Sequence, residues 1–186
     1  MAPDCTPEPP TLRLARREDA PAIAGLIERS VLGLQADDYT PAQMDGALGT
    51  VFGVDTRLID DGGYFLVELA GELVGCGGWS WRQTLFGGDA VPGKDDARLD
   101  PAADPARVRA FFVAPEHARR GIGSLILAAC ETAAREHGFR QLELVATLTG
   151  EKLYARRGFE AVERYAVPLP NGAELPVVRM RRAIGP

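Results

Sequence analysis

Apolar positions change their period several times along the chain, and each change marks an element. Residues 11–15 (Thr-Leu-Arg-Leu-Ala) alternate and predict a first strand. Glu18 and Asp19 precede Pro21, a favourable helix opening: acidic groups meet the positive helix end, and proline lacks only an N–H that would have no partner there. Ile23, Leu26, Ile27, Val31 and Leu34 then recur on one face. A second short helix is predicted from Thr40-Pro41, with Thr as cap and Met44 and Leu48 inward. Residues 64–69 and 72–79 read as two strands closed into a hairpin by Ala70-Gly71. From Gln83 to Pro105 no period survives; Gly, Pro and Asp dominate, which predicts a long loop insertion over 83–105.

Order returns with a strand over 107–113 and a helix that stops at His137-Gly138, where glycine suits the left-handed cap. A strand over 141–146, a short helix over 152–158 and two strands over 159–167 and 174–181 complete the order β-α-α-β-β-β-α-β-α-β-β. With no internal repeat, this is one α/β layered domain over residues 11–182. The Pro-rich residues 1–10 are expected to be a disordered tail, and 183–186 a short C-terminal one.

Composition narrows the functional classes. At 186 residues and 46% hydrophobic content, the chain can bury a sizeable core. A net charge of −5 argues against nucleic-acid binding, which needs a clustered basic surface. Cys5, Cys76 and Cys130 lack metal-type spacing, and two histidines cannot build a His-rich site, so no metal is expected. The odd cysteine count and the lack of a signal peptide point to a reducing, cytoplasmic setting. No apolar run approaches membrane-spanning length.

The chemistry is concentrated in residues 111–124. An apolar run, Phe111-Phe112-Val113, stops at Ala114-Pro115, passes a basic loop and meets Gly121-Ile122-Gly123-Ser124 at a helix start. The first turn of a helix presents backbone N–H groups without intrahelical partners, and glycines permit close approach of an anion. Arg119 and Arg120 add charge-assisted donors for phosphate oxygens. Two nucleotide motifs fail here. A Walker-type loop requires a lysine after its second glycine, and a dinucleotide fingerprint requires a small residue where Ile126 stands.

The segment instead resembles motif A of the GNAT N-acetyltransferase superfamily: Val113-Ala114-Pro115 followed by Arg119-Arg120-Gly121-Ile122-Gly123-Ser124. Tyr154-Ala155-Arg156-Arg157-Gly158-Phe159 is similar to the family's second motif, and the order of elements agrees over about residues 11 to 182. The resemblance implies a mixed, mostly antiparallel twisted sheet of about seven strands flanked by helices. It also implies acetyl-CoA in a cleft between two splayed parallel strands. Phe111, Phe112 and Val113 would line the pantetheine arm, with the Val113 N–H nearest the thioester carbonyl. Amides from Arg119 through Gly121, Ile122, Gly123 and Ser124 would hold the pyrophosphate. Ala118 replaces the usual Gln or Arg at the start of the turn, and Thr147 and Gly150 stand where Asn and Ala are usual.

The implied activity is acetyl transfer from acetyl-CoA to a primary amine, on a small molecule or a peptide, in a direct ternary complex. A homodimer is compatible with the resemblance. Tyr154 occupies the general-acid position, and a phenol suits a departing thiolate because both have high pKa values. The alternative for Tyr154 is core packing. The general base stays open among Glu68, Glu143, His117, a water chain or a substrate amine of low pKa. Trp79, Trp81, Tyr39 and Met44 are candidates for an acceptor pocket or simply for the core. The aspartates of 83–105 are either simply solvated or part of a cap that attracts a cationic amine. An acyl-CoA-binding sensor without turnover remains the alternative function.

Overall fold

The computed structural model describes residues 9–185, so positions 1–8, with Cys5 and most of the expected tail, lie outside the described residues. Seven strands form one sheet: β1 (Thr11–Leu14), β2 (Tyr64–Leu69), β3 (Glu72–Ser80), β4 (Ala106–Val113), β5 (Gln141–Thr147), β6 (Glu160–Pro168) and β7 (Glu174–Ala183). Their order is β1-β2-β3-β4-β5-β7-β6, and every neighbouring pair is antiparallel except β4 with β5. Helices α1 (Ala20–Leu34), α2 (Pro41–Ala47) and α3 (Thr56–Asp60) precede the hairpin, while α4 (Ile122–Glu136) and α5 (Leu148–Arg156) flank β5 in sequence.

The apolar stripe read for α1 is the face that packs: Ile23, Leu26, Ile27 and Val31 are buried. The turn before α2 forms a capping box, with the Thr40 hydroxyl accepting from Gln43 N–H and the Gln43 side chain accepting from Thr40 N–H. Met44 is buried as expected, and Leu48 is half-buried just past the helix end. Two boundaries differ from the periodic reading. Helix α5 begins at Leu148, because the Thr147 hydroxyl caps it by accepting from Gly150 N–H at 3.0 Å. The last strand continues to Ala183, and Ile184 is buried with its N–H on Arg140 O, so the expected C-terminal tail contributes a core residue. Helix α3 was not predicted; a single turn carries too few apolar positions to show a period.

The parallel pair is what shapes the site. Strands β4 and β5 pair only at Ala106–Leu142, Arg107–Glu143 and Val108–Leu144, and then separate. Just beyond that point the register against β3 shifts: Gly78 faces Arg109 whereas Cys76 faces Phe112. Two β4 residues therefore oppose one β3 residue, with Ala110 at φ +57°. An extra residue of this kind bends a strand and sharpens its twist, which turns β4 away from β5. Gly77 accommodates the distortion, since a Cβ there would lie 2.5 Å from the Phe111 ring. Consecutive side chains then point to opposite faces: Phe111 meets Tyr154 of α5 edge-on, and Phe112 meets Phe52 on the other side.

Candidate active site

A cavity of about 810 Å³ runs through the gap between β4 and β5. At one end lies the start of α4. Gly121 caps that helix in the left-handed region at φ +85°, and Arg119 two residues earlier is also left-handed at φ +62°. No side chain caps α4, so the N–H groups of its first turn are free of protein side chains. Successive amides in mixed right- and left-handed conformations form a concave anion cradle, and the helix dipole adds positive potential.

Of the residues singled out from sequence, Phe111, Phe112, Val113, Arg119, Gly121, Ile122, Gly123, Ser124 and Tyr154 all line this cavity. Arg120 is exposed and stands outside the wall. Three further cations, Lys152 and Arg156 of α5 and Arg157 just past its end, line it. They lie beside the cradle, because Leu153 packs against the Gly123 position. Tyr154 is buried between Phe111 and Phe159, its ring edge-on to both. Burial raises its phenol above the ordinary value, with the Cys130 side chain adding to the shift, so it stays protonated. Its hydroxyl makes no hydrogen bond among the described residues.

The Val113 N–H is engaged, donating to Ser30 Oγ of α1 at 3.3 Å. Ser30 is buried, lines the cavity and was missed in the sequence reading. The signal was present: Ser30 follows Leu26 by one helical turn, so it is a hydroxyl on an apolar stripe. Gln35 and Arg109 were missed as well, and both line the cavity.

The candidates for a base are placed elsewhere. Glu68 pairs with Arg13 beside β1. Glu143 is fully buried under the guanidinium groups of Arg107, Arg179 and Arg181. Burial pushes its carboxyl up, but hydrogen bonds from Arg181 and Arg179, with the charge of Arg107, win and hold it below the ordinary value. His117 lies in the 3-10 turn after β4 and is not part of the wall. Among the described residues no Asp, Glu or His lines the cavity.

Of the two alternatives for Tyr39, Met44, Trp79 and Trp81, the structure takes the core: they line no part of the cavity, and Tyr39, Met44 and Trp79 are buried. The Tyr39 hydroxyl instead donates to Pro176 O at 2.7 Å and accepts from Leu148 N–H, tying α5 to β7. The 83–105 loop does reach the site, but through Leu85, Phe86 and Gly87. Its aspartates are used structurally: Asp89 accepts from Thr56 N–H, Asp95 from Ala97 N–H, and Asp96 pairs with Arg57. Turn-forming aspartates satisfy their own backbone before they can offer charge to a ligand.

The model of the acetyltransferase (GNAT) family matches residues 29–159, most of the chain and all of the cavity-forming β4–α4–β5–α5 segment. This chain belongs to the GNAT family. Among solved structures, this GNAT chain resembles a GCN5-related N-acetyltransferase from Rhodopseudomonas palustris, at 22% identity and a TM-score of 0.71, over 96% of this chain and 98% of that one. PaiA N-acetyltransferase from Thermoplasma acidophilum, solved with coenzyme A, aligns at 13% identity and a TM-score of 0.67, covering 95% and 99%. YncA, a putative acetyltransferase from Salmonella typhimurium solved with acetyl-CoA, aligns at 17% identity and 0.62, covering 95% of each. These likenesses support the fold. No curated protein matches the sequence. Membership of the GNAT family makes the protein an acyltransferase. Among its described residues, no helix is long and apolar enough to cross a membrane, and no group of His, Cys, Asp or Glu is placed to hold a metal ion.

Proposed function

We propose that the protein is an acetyl-CoA-dependent N-acetyltransferase that works in a direct ternary complex. The observation that carries this is the continuous cavity, from an uncapped helix start with Gly121 and Arg119 in left-handed conformations to the far face of the sheet. The first-turn amides of α4 and the charges of Arg119, Lys152, Arg156 and Arg157 fit a pyrophosphate and its neighbouring phosphate. The unpaired edges of β4 and β5 suit an extended amide-containing arm, which can hydrogen-bond there like an added strand. Bound in this way, acetyl-CoA supplies an activated thioester, whose acetyl carbon bonds to the amine as the C–S bond breaks, with one proton leaving the amine and one reaching sulfur.

Tyr154 is the proton donor in this reading, and the phenol's burial keeps that proton in place at working pH. A covalent route through Cys76 or Cys130 is disfavoured: burial pushes the Cys76 thiol up to about 12, and raises that of Cys130 too. Both thiols are free and buried, as suits a reducing cytoplasm. The acceptor amine must arrive or become neutral without a carboxylate in the cavity wall, so its proton passes to water. The absence of a wall carboxylate also favours the second reading, a sensor that binds acyl-CoA without turnover. Initial rates of CoA thiol release, with acetyl-CoA and amine varied together, separate the two. Intersecting double-reciprocal lines are expected; parallel lines would reject the ternary complex, and binding without release would reject the enzyme.

Ser124→Asp provides an independent check on the cradle. A carboxylate in the first turn of α4 interacts favourably with the helix dipole by about 0.3–1 kcal/mol, so the melting temperature should hold or rise. Opposed to an anionic ligand, the same charge should weaken acetyl-CoA binding by about tenfold or more. Calorimetry showing unchanged affinity would move the pyrophosphate elsewhere.

A further inference from the structure

The cavity has a second end, on the face where Phe112 meets Phe52, and its chemistry is unlike the first. Val51, Phe52, Leu85, Phe86, Val167 and Val177 make an apolar wall. Among the described residues, two side chains of the cavity wall carry a buried polar atom without a hydrogen-bond partner. Gln35, 6% exposed at the end of α1, has an Oε1 with no hydrogen-bond partner. Arg109 of β4, also 6% exposed, has an Nε with none. The remainder of the Arg109 guanidinium is held: Nη2 lies 2.6 Å from Asp55 and donates to Gly87 O at 2.9 Å. Lys94 also lies 3.5 Å from Asp55, so that carboxylate is shared by two cations.

Buried polar atoms are nearly always paired, because an unpaired one forfeits its hydration without return. Here one free acceptor and one free cationic donor sit in the wall of the same cavity. A ligand that satisfies both carries an N–H for Gln35 and an anionic oxygen for Arg109, with an apolar body between β-branched and aromatic walls. Polycations are disfavoured, because among the described residues no wall carboxylate draws them in.

We propose that the acceptor is a small apolar or aromatic α-amino acid, its carboxylate received by Arg109 and its amine by Gln35. This rests on the acetyl-transfer reading above. A CoA-release assay with acetyl-CoA and L-leucine, L-phenylalanine, phenethylamine or spermidine tests it. The better of the two amino acids should exceed phenethylamine and spermidine in kcat/KM by about tenfold or more, the scale of one hydrogen bond to a charged group. Arg109→Lys preserves the cation beside Asp55 and loses the Nε–H donor; it should raise the amino-acid KM about tenfold without changing acetyl-CoA affinity. Gln35→Leu should do the same, and its packing is independent of the Asp55 pair. Equal or better use of phenethylamine or spermidine overturns the proposal, as does preference for a peptide with an apolar N-terminus. If acetyl-CoA binds but no amine is acetylated, the transfer reading falls. Calorimetric binding of L-phenylalanine, but not phenethylamine, to the CoA-loaded protein would then uphold the acceptor site, and no binding would overturn it.

Discussion

Glu143→Gln is expected to destabilise the protein by about 3–5 kcal/mol at neutral pH, the cost of removing one partner from a buried ion pair. The carboxylate has no exposed surface and is the shared partner of three guanidinium groups, with Arg179 Nε 2.8 Å away. It joins β4, β5 and β7 at the point where the parallel pair is still closed: Arg107 faces it from β4 and Arg181 from β7. Without it, the Arg107 guanidinium remains buried and unpaired. A neutral amide accepts hydrogen bonds but cannot balance that charge. The pH dependence has a definite sign. The folded carboxyl lies below its ordinary value of 4.5, so its stabilisation is fully present above that pH and is lost as pH falls through the depressed folded value. Urea midpoints of the wild type and the variant should therefore lie far apart near pH 7 and converge in acid. A variant as stable as wild type but with lost kcat would return Glu143 to a catalytic role.

Tyr154→Phe is expected to lower kcat by about 100-fold or more, in the usual range for removal of a general acid, with little change in acetyl-CoA affinity. The ring's edge-on contacts to Phe111 and Phe159 survive the substitution, and its hydroxyl has no hydrogen bond to lose among the described residues. Stability should accordingly stay within about 0.5 kcal/mol of wild type. Burial raises the Tyr154 phenol, so the proton donor is intact throughout the neutral and moderately alkaline range. In wild type kcat should show no fall on the alkaline side up to about pH 10, the ordinary phenol value. A falling limb below that pH, or a normally active Phe variant, would assign the proton to another group.

The core and the anion cradle were legible because both rest on local sequence. The α1 stripe, the Thr40 cap and the Gly121 turn each depend on residues within a turn of one another, and periodicity and capping report such relations directly. The short α3 escaped for the same reason, since a single turn contains too little of a period. Side-chain assignments across the sheet fared differently. Glu143 on β5 looked like a candidate base, and only the register of β4 and β7 reveals its three arginine partners. The Asp-rich loop could be read as solvated or as a cationic-amine lure, yet it reaches the cavity through Leu85 and Phe86 near its start, while Asp89 and Asp95 hold backbone.

By itself, then, the sequence determined the family, the strand-and-helix order apart from α3, and the anion cradle at the start of α4, because each is written in contiguous residues. Tertiary structure alone decided the proposed acceptor end. Gln35, Phe52, Phe86 and Arg109 come from four separate segments, and they converge only because the extra residue at Ala110 twists β4 away from β5. Whether a charged side chain serves a ligand or another side chain depends on which strand lies beside it. Register makes that choice, and register is a long-range property no local pattern contains.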